Sequence, residues 1–243
     1  MIIKKRGKSL LIEQLTALDS RLPVHHNIKE TVQADLRMRK SGVRGEKEIE
    51  YSLRFLNDRE YLILHDLRLR DQNGFFQIDT LILCERYILI LEVKNWSGTI
   101  LFGENGQVTR VDAEQKEEGF PNPISQAKLQ QRRLQNWLNN HSLINIPIDY
   151  FIVISFPSTI IKSCSPEHSI PEKIVHNHQL FFRIEALDKI YPVKVAGIEQ
   201  LKKQAEKLMK AHMPKSINIL EKYSISIREL IKGVFCQMRD SIG

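Results

Sequence analysis

The sequence predicts an α/β fold with a central sheet flanked by helices, and three observations carry that reading. Residues 77–98 hold two Ile- and Leu-rich runs separated only by Glu85-Arg86, the pattern of two adjacent buried strands joined by a tight connection. Residues 125–143 carry Ala127, Leu134, Trp137 and Leu138 at helical spacing and lead into a second apolar run, Ile148–Ile154. Helical patterns occupy both ends of the chain. With 243 residues, 42% of them hydrophobic, the chain is long and apolar enough to bury a proper core.

Taken in order, residues 1–41 read as a helical arm. Leu10, Leu11, Leu15 and Leu18 form an amphipathic stripe closed by Pro23, and Asn27 is placed to cap a second helix through Leu36 and Met38. Arg37, Arg39 and Lys40 close that helix, as a solvated basic end or as phosphate contacts. His25 and His26 have no metal-spaced partner and read as surface. Gly42 and Gly45 bracket the entry to a core running over 42–157. Its first element is a helix from Glu46, with Ile49, Leu53 and Leu56 inward and Glu46 and Glu50 sharing a face. Glu50 reads as a helix-supporting charge. Tyr61–Leu69 is the first strand, His65 within it is structural, and Asp71-Gln72-Asn73-Gly74 is a hairpin turn.

Beyond Gly98, Thr99–Gly103 extends or bends the sheet, Glu104–Gln107 is a turn, Val108–Val111 a short strand and Asp112–Gly119 a charged loop. Pro123 suits a helix start, where a missing N–H costs nothing. Residues 158–243 read as a mainly helical region. A loop over Pro157–Pro171 leads to a short strand at Lys173–His176. Helices then run over Asn177–Leu187, Val195–Met213 and Ile217–Met238, the last two split at Pro214.

The two central strands contain charges that a core does not ordinarily hold. Asp79 interrupts the first, and Glu92 and Lys94 the second; such side chains stay buried only when paired or bound to a metal. A turn centred on Glu85-Arg86 sets Cys84 opposite Tyr87, Asp79 opposite Glu92 and Gln77 opposite Lys94, with Glu92 and Lys94 on one face. Two opposed carboxylates suit a hard divalent cation. A neighbouring lysine can position or activate a water.

Ile78-Asp79 followed by Glu92-Val93-Lys94 resembles the split active-site motif of the PD-(D/E)XK nuclease superfamily. The wider stretch from Ser41 to Pro157 resembles its nuclease-related domain (NERD) family, through Gly45-Glu46, the Asn95–Gly98 exit and Asn122-Pro123 leading into Gln126. Thr80 stands where that family often has His. The resemblance implies a PD-(D/E)XK nuclease-like core built on a mixed central sheet, with helical extensions at both ends. It also implies a metal-dependent nuclease hydrolysing phosphodiester bonds of DNA or RNA. Glu46, Asp79 and Glu92 would bind Mg²⁺, for which Mn²⁺ can substitute, with the backbone carbonyl of Val93 as a further ligand. Lys94 would position water or stabilise the transition state, and Gln126 would stand at the metal face. Lys128, Arg132 and Arg133 on the following helix read from chemistry alone as a solvated basic face or as a nucleic-acid track.

Composition agrees with a polyanion partner. The formal net charge is +7 and the sequence pI about 9.3, which favours a basic face and nucleic acid, DNA first, as partner. Cys84, Cys164 and Cys236 are odd in number and scattered, which excludes a disulfide framework or a structural zinc site. No leader or membrane-length apolar stretch is visible, so the expectation is a cytoplasmic protein without a membrane partner. Two rival readings use the same residues. One is a catalytically silent nucleic-acid-binding module. The other is a structural or partner-binding protein whose acidic residues form a buried ion-pair network around Lys94.

Overall fold

The computed structural model describes residues 1–103, 106–165, 167 and 169–232. These fall into two compact units. Among the described residues, one comprises 1–7 and 41–215; the other comprises 8–40 and 216–232. The first unit is the α/β core expected from the sequence, built on two mixed sheets.

Its larger sheet has six strands: β1 (Ile2–Lys4), β2 (Leu62–Asp71), β3 (Gly74–Leu83), β4 (Ile88–Lys94), β8 (Ile148–Ile154) and β10 (Ile174–His176), in the order β1-β2-β3-β4-β8-β10. β2, β3 and β4 form an antiparallel meander, whereas β1 adds to β2, β8 to β4 and β10 to β8 in parallel. A parallel neighbour requires a crossover, and the chain supplies a long one between β4 and β8. It contains β5 (Thr99–Phe102), β6 (Val108–Val111), β7 (Glu117–Phe120) and α3 (Pro123–Asn140). The first three join β9 (Ile160–Ser163) in a separate four-stranded sheet, ordered β7-β6-β5-β9.

Several elements correct the sequence expectation. Residues 99–103 open a second sheet and do not extend the first. Strands β7 and β9 lie in stretches read as loop, because their pairing is long-range and their residues, half polar, carry no periodic signal. The expected helical arm begins with a strand, β1, whose three residues are too few to show a period. Ile217–Met238 is not one helix: its described part holds only a short helix, α6 (Ile219–Lys222), and a 3₁₀ turn at Ile227–Glu229. The rest of that stretch, Cys236, and Glu104 and Asn105 of the expected turn lie outside the described residues.

Both faces of the large sheet are covered. Leu81, Ile90 and Ile152 pack with Ala127, Leu134 and Leu138 of α3 and with Leu201, Ala205 and Leu208 of α5 (Ile198–Lys210). Ile82, Leu89, Leu91 and Val153 pack with Ile49 and Leu53 of α2 (Lys29–Leu53) and with Ile184 and Leu187 of α4 (Leu180–Ile190). The fully buried β4 and β8 therefore read as continuous apolar runs.

The second unit has a small core of its own. Leu15, Leu18 and Leu22, from α1 (Leu10–Arg21) and the residue after it, pack with Val32, Leu36 and Ile225. Lys222 Nζ reaches Asp35 Oδ2 at 2.6 Å.

Helix α2 runs unbroken through Lys40, Gly42 and Gly45, so Arg37, Arg39 and Lys40 lie mid-helix and do not close one. It begins at Lys29, two residues after Asn27. Glycine inside a helix ordinarily costs about 1 kcal/mol against alanine, and the two glycines differ in why they are tolerated. A Cβ on Gly42 would meet nothing within 4 Å, whereas one on Gly45 would stand 2.4 Å from Asn95 Cβ and 2.6 Å from Ser155 Oγ. Gly45 is therefore the point where α2 closes on the exits of β4 and β8, one residue before Glu46. Gly45→Ala should destabilise the protein by about 1–3 kcal/mol through overpacking, and Gly42→Ala should stabilise it by up to about 1 kcal/mol. Urea unfolding of the two variants beside wild type measures both signs.

Candidate functional site

The predicted register holds: Thr80 pairs with Leu91, Leu81 with Ile90, Ile82 with Leu89 and Leu83 with Ile88, and Cys84 N–H donates to Tyr87 O at 3.0 Å. The same register would set Asp79 opposite Glu92, but the ladder stops one step short of that pair. Val93 N–H instead donates to Asp79 Oδ2 at 3.0 Å. The other side of β3 is interrupted at the same residue. His65 pairs with Thr80 and Leu67 with Ile78, but Asp66 and Asp79 make no pair, and Asp66 has a φ of 51°. That left-handed conformation, which Asp tolerates better than most residues, changes which side chains face inward. Leu62 and Leu64 lie in the same core cluster as Leu67 and Leu69, one residue out of strict alternation. Asp79 thus sits where β3 is released by both neighbours.

Glu92, only 2% exposed, is held by three donors. Its Oε1 accepts from Lys94 Nζ at 2.7 Å and from Gln126 Nε2 at 2.6 Å, and its Oε2 from Gln130 Nε2 at 2.9 Å. Lys94 Nζ also donates to Gln126 Oε1 at 3.1 Å, so one amide bridges the acid and the base. Asn122 caps α3 through Ile124 N–H, with Pro123 in the first turn. The cap fixes the start of the helix, and Gln126 and Gln130 follow one turn apart on the face turned to β4. Gln130 Nε2 also reaches Gln77 O at 2.9 Å, tying α3 to β3.

Glu46, from α2, is engaged by a residue the sequence did not single out. Arg6 lies just beyond β1 with its side chain 5% exposed. Its Nη1 is 2.6 Å from both Glu46 Oε2 and Asp66 Oδ1, and its Nε is 3.5 Å from Glu50. Arg6 Nη2 also approaches Thr80 Oγ1 and His65 Nδ1, each at 3.3 Å. His65 is buried, and burial first, then the Arg6 and Lys4 charges, push its pKa down to about 4. The ring is therefore neutral at pH 7. Since Arg6 can only donate, Nδ1 is the acceptor and the proton resides on Nε2.

The acids repel one another. Burial, then the charges of Glu92 and Glu46, push the Asp79 carboxyl well above the usual carboxylate range. Burial also raises Glu46, against the pull of Arg6, with Asp66 and Glu92 adding to the rise. Even so, among the described residues no three His, Cys, Asp or Glu side chains are gathered closely enough to hold a metal ion. Glu46 is turned toward Arg6.

The other predicted positions separate. Lys128 and Arg132 are exposed on α3. Arg133 is committed inside the fold: its Nη2 and Nε bind the Asp71 carboxylate at 2.6 and 2.7 Å, and the same guanidinium reaches the carbonyls of Gly74 and Phe75. It clamps the β2–β3 hairpin to α3. Cys84 is buried and Cys164 exposed, both as free thiols. No described helix is long and apolar enough to cross a membrane.

Arg6, Asp66 and Gln130 are what sequence reasoning missed. Gln130 carried a signal, one turn beyond Gln126; Arg6 carried none, because only the parallel pairing of β1 brings it to the site. No curated protein and no solved structure matches the chain. Residues 41–155, a little under half the chain, match the family model described as the nuclease-related domain, NERD, and that segment is similar to the family.

Proposed function

We propose that the protein is a Mg²⁺-dependent nuclease that hydrolyses phosphodiester bonds, with DNA as the first substrate to test. The observation that carries the reading is Asp79. Its carboxylate sits at a break in the sheet beside two further acids, with Lys94 bonded to Glu92 and Arg6 to Glu46. The donors fit the ion in kind, since Mg²⁺ is commonly held through one or two carboxylates and keeps several waters. Asp79, Glu92 and the Val93 carbonyl would hold it, with Glu46 completing the set from the helix side. When bound, the ion lowers the pKa of a coordinated water and polarises a phosphoryl oxygen.

The chain's own residues supply the rest. Lys94, held between Glu92 and Gln126, presents an ammonium at a fixed place, where it orients the attacking water or balances charge that grows on the phosphate. Gln126 accepts from that ammonium and donates to Glu92, which fixes the geometry of the pair. Gln130 satisfies the second oxygen of Glu92 without neutralising it. Lys128 and Arg132 present their charges to solvent on α3, where they can grip a phosphate backbone; Arg133 is spent on Asp71 and has an architectural part. One observation favours the ion-pair-network reading: Lys94 and Arg6 are each already bonded to an acid.

Cleavage of labelled single- and double-stranded DNA and RNA with Mg²⁺, Mn²⁺ or EDTA decides between them. Cleavage should require Mg²⁺ or Mn²⁺. Lys94→Ala should lose about 10²–10³-fold in kcat, the scale of one missing transition-state donor, and Asp79→Ala should fall to background. A wild type that is folded, inert on every substrate and indifferent to metal would leave the ion-pair network standing.

Stability gives an independent measurement. Asp79 has its folded pKa raised above the unfolded value, so its ionisation weakens the folded state as pH rises through that pKa. Asp79→Asn keeps an acceptor for Val93 N–H and removes the charge. Without metal, the variant should melt above wild type at neutral pH. The difference should shrink on acidification, as the wild-type carboxyl takes up a proton, and Mg²⁺ should narrow it by stabilising wild type alone.

A further inference from the structure

A cavity of about 380 Å³ opens between α2, the exit of β8 and the β10–α4 connection. Its walls are rings. Tyr51 stands edge-on to Phe55 with centroids 5.3 Å apart, Phe55 meets Phe181 at 6.0 Å, and Phe181 meets Phe182 at 5.5 Å. His176 and His178 stack at 5.3 Å on the opposite rim. Tyr51, Phe55 and Phe182 remain 58–65% exposed, so they do not serve as core. Among the described lining residues, His176 Nδ1 is buried without a hydrogen-bond partner.

The cavity adjoins the acidic site. Ser155, in its lining, donates to Asn95 Oδ1 at 3.0 Å and to Lys94 O at 3.4 Å. Tyr51 and Phe55 follow Glu46 on the same helix by five and nine residues, about 8 and 14 Å along its axis at 1.5 Å per residue. At the duplex rise of about 3.4 Å per nucleotide, that is a span of two to four nucleotides, and fewer for an unstacked, more extended strand.

We propose that this cavity takes an unstacked base of the substrate strand a few nucleotides from the cleaved bond, so that the protein prefers single-stranded or frayed nucleic acid to intact duplex. The proposal rests on the nuclease reading for its substrate. Its physical basis is separate. Aromatic walls accept the face of any base, a worth of about 1–3 kcal/mol per stacked base. The acidic site beside the cavity, reached through Ser155, Asn95 and Lys94, favours the substrate strand over a lipid or an apolar peptide. A duplex keeps its bases in the stack and could not enter without unpairing.

The test is binding in EDTA, where no cleavage interferes. Single strands of DNA and RNA containing 2-aminopurine are titrated with the full chain, beside a blunt duplex of the same sequence. Quenching of the base fluorescence and at least about fivefold tighter binding of a single strand than of duplex are expected. Phe55→Leu and Phe182→Leu keep apolar bulk without a ring. Each should weaken single-strand binding at least about fivefold, the low end of one lost stack, and leave duplex binding unchanged. Equal losses on both substrates, no loss, or a change only in oligomeric state by sedimentation would overturn the proposal. Asp79→Ala separates the two readings: it should abolish cleavage and leave base quenching intact. Quenching by a wild type that never cleaves would retain the pocket and remove the nuclease.

Discussion

Val93 N–H donates to the Asp79 carboxylate where the β3–β4 ladder stops, and that bond lets a sheet come apart inside the protein without an unpaired amide. A buried backbone donor without a partner costs about 1–3 kcal/mol, so strands rarely diverge in a core unless a side chain takes over the acceptor role. Asp79 does so with one oxygen. It stands next to Glu92 for the same reason, since the register that pairs Thr80 with Leu91 carries the next step to these two acids. The left-handed turn at Asp66 releases Asp79 from β2 in the same place. The burial and the repulsion that raise its pKa are therefore a consequence of chain geometry, fixed by the pairing of Thr80 with Leu91 one step away.

Much of this geometry was legible because it is local. A hairpin centred on Glu85-Arg86 has one register that keeps both apolar runs buried, and it placed Asp79 by Glu92 and put Glu92 and Lys94 on one face. Pro123 marked the start of α3, and Gln126 was singled out by the family resemblance; the cap at Asn122 is seen only in the structure. The unbroken α2 was not legible, because two glycines and a basic cluster imitate a helix end. The reason for Gly45 lies in Asn95 and Ser155, distant in sequence. Arg133 offered the same charge as Lys128 and Arg132, and only the folded hairpin shows that Asp71 consumes it. Arg6 was invisible for the plainest reason: a three-residue parallel edge strand has no period, yet it delivers the most buried cation of the site.

Arg6 also explains why the acids can coexist before any cation arrives. Glu46, Asp66 and Glu50 surround one guanidinium whose rigid fork can serve several carboxylates at once. His65, kept neutral beside it, accepts a hydrogen bond without adding a second positive charge. The helix-borne acid is thus stored against an internal cation while Asp79 and Glu92 remain on the strands. That arrangement is consistent with the absence, among the described residues, of a closed three-carboxylate cluster.

The choice of neutral donors around Glu92 points the same way. A carboxylate buried to 2% exposure could be satisfied by charged donors alone, which would bring more positive charge than its own single negative charge balances. Here two glutamine amides and a single lysine take up three of its roughly four acceptor positions, and Oε2 keeps one open. Amides satisfy lone pairs but cancel no charge, so Lys94 is the charged donor to Glu92, and after burial the Glu92 charge still contributes to the raised pKa of Asp79. A core built for stability alone gains nothing from this, since well-packed apolar residues do as well or better than a buried ion pair. Keeping the acids hydrogen-bonded yet under-neutralised is what a site requires if a cation from solution is to complete it.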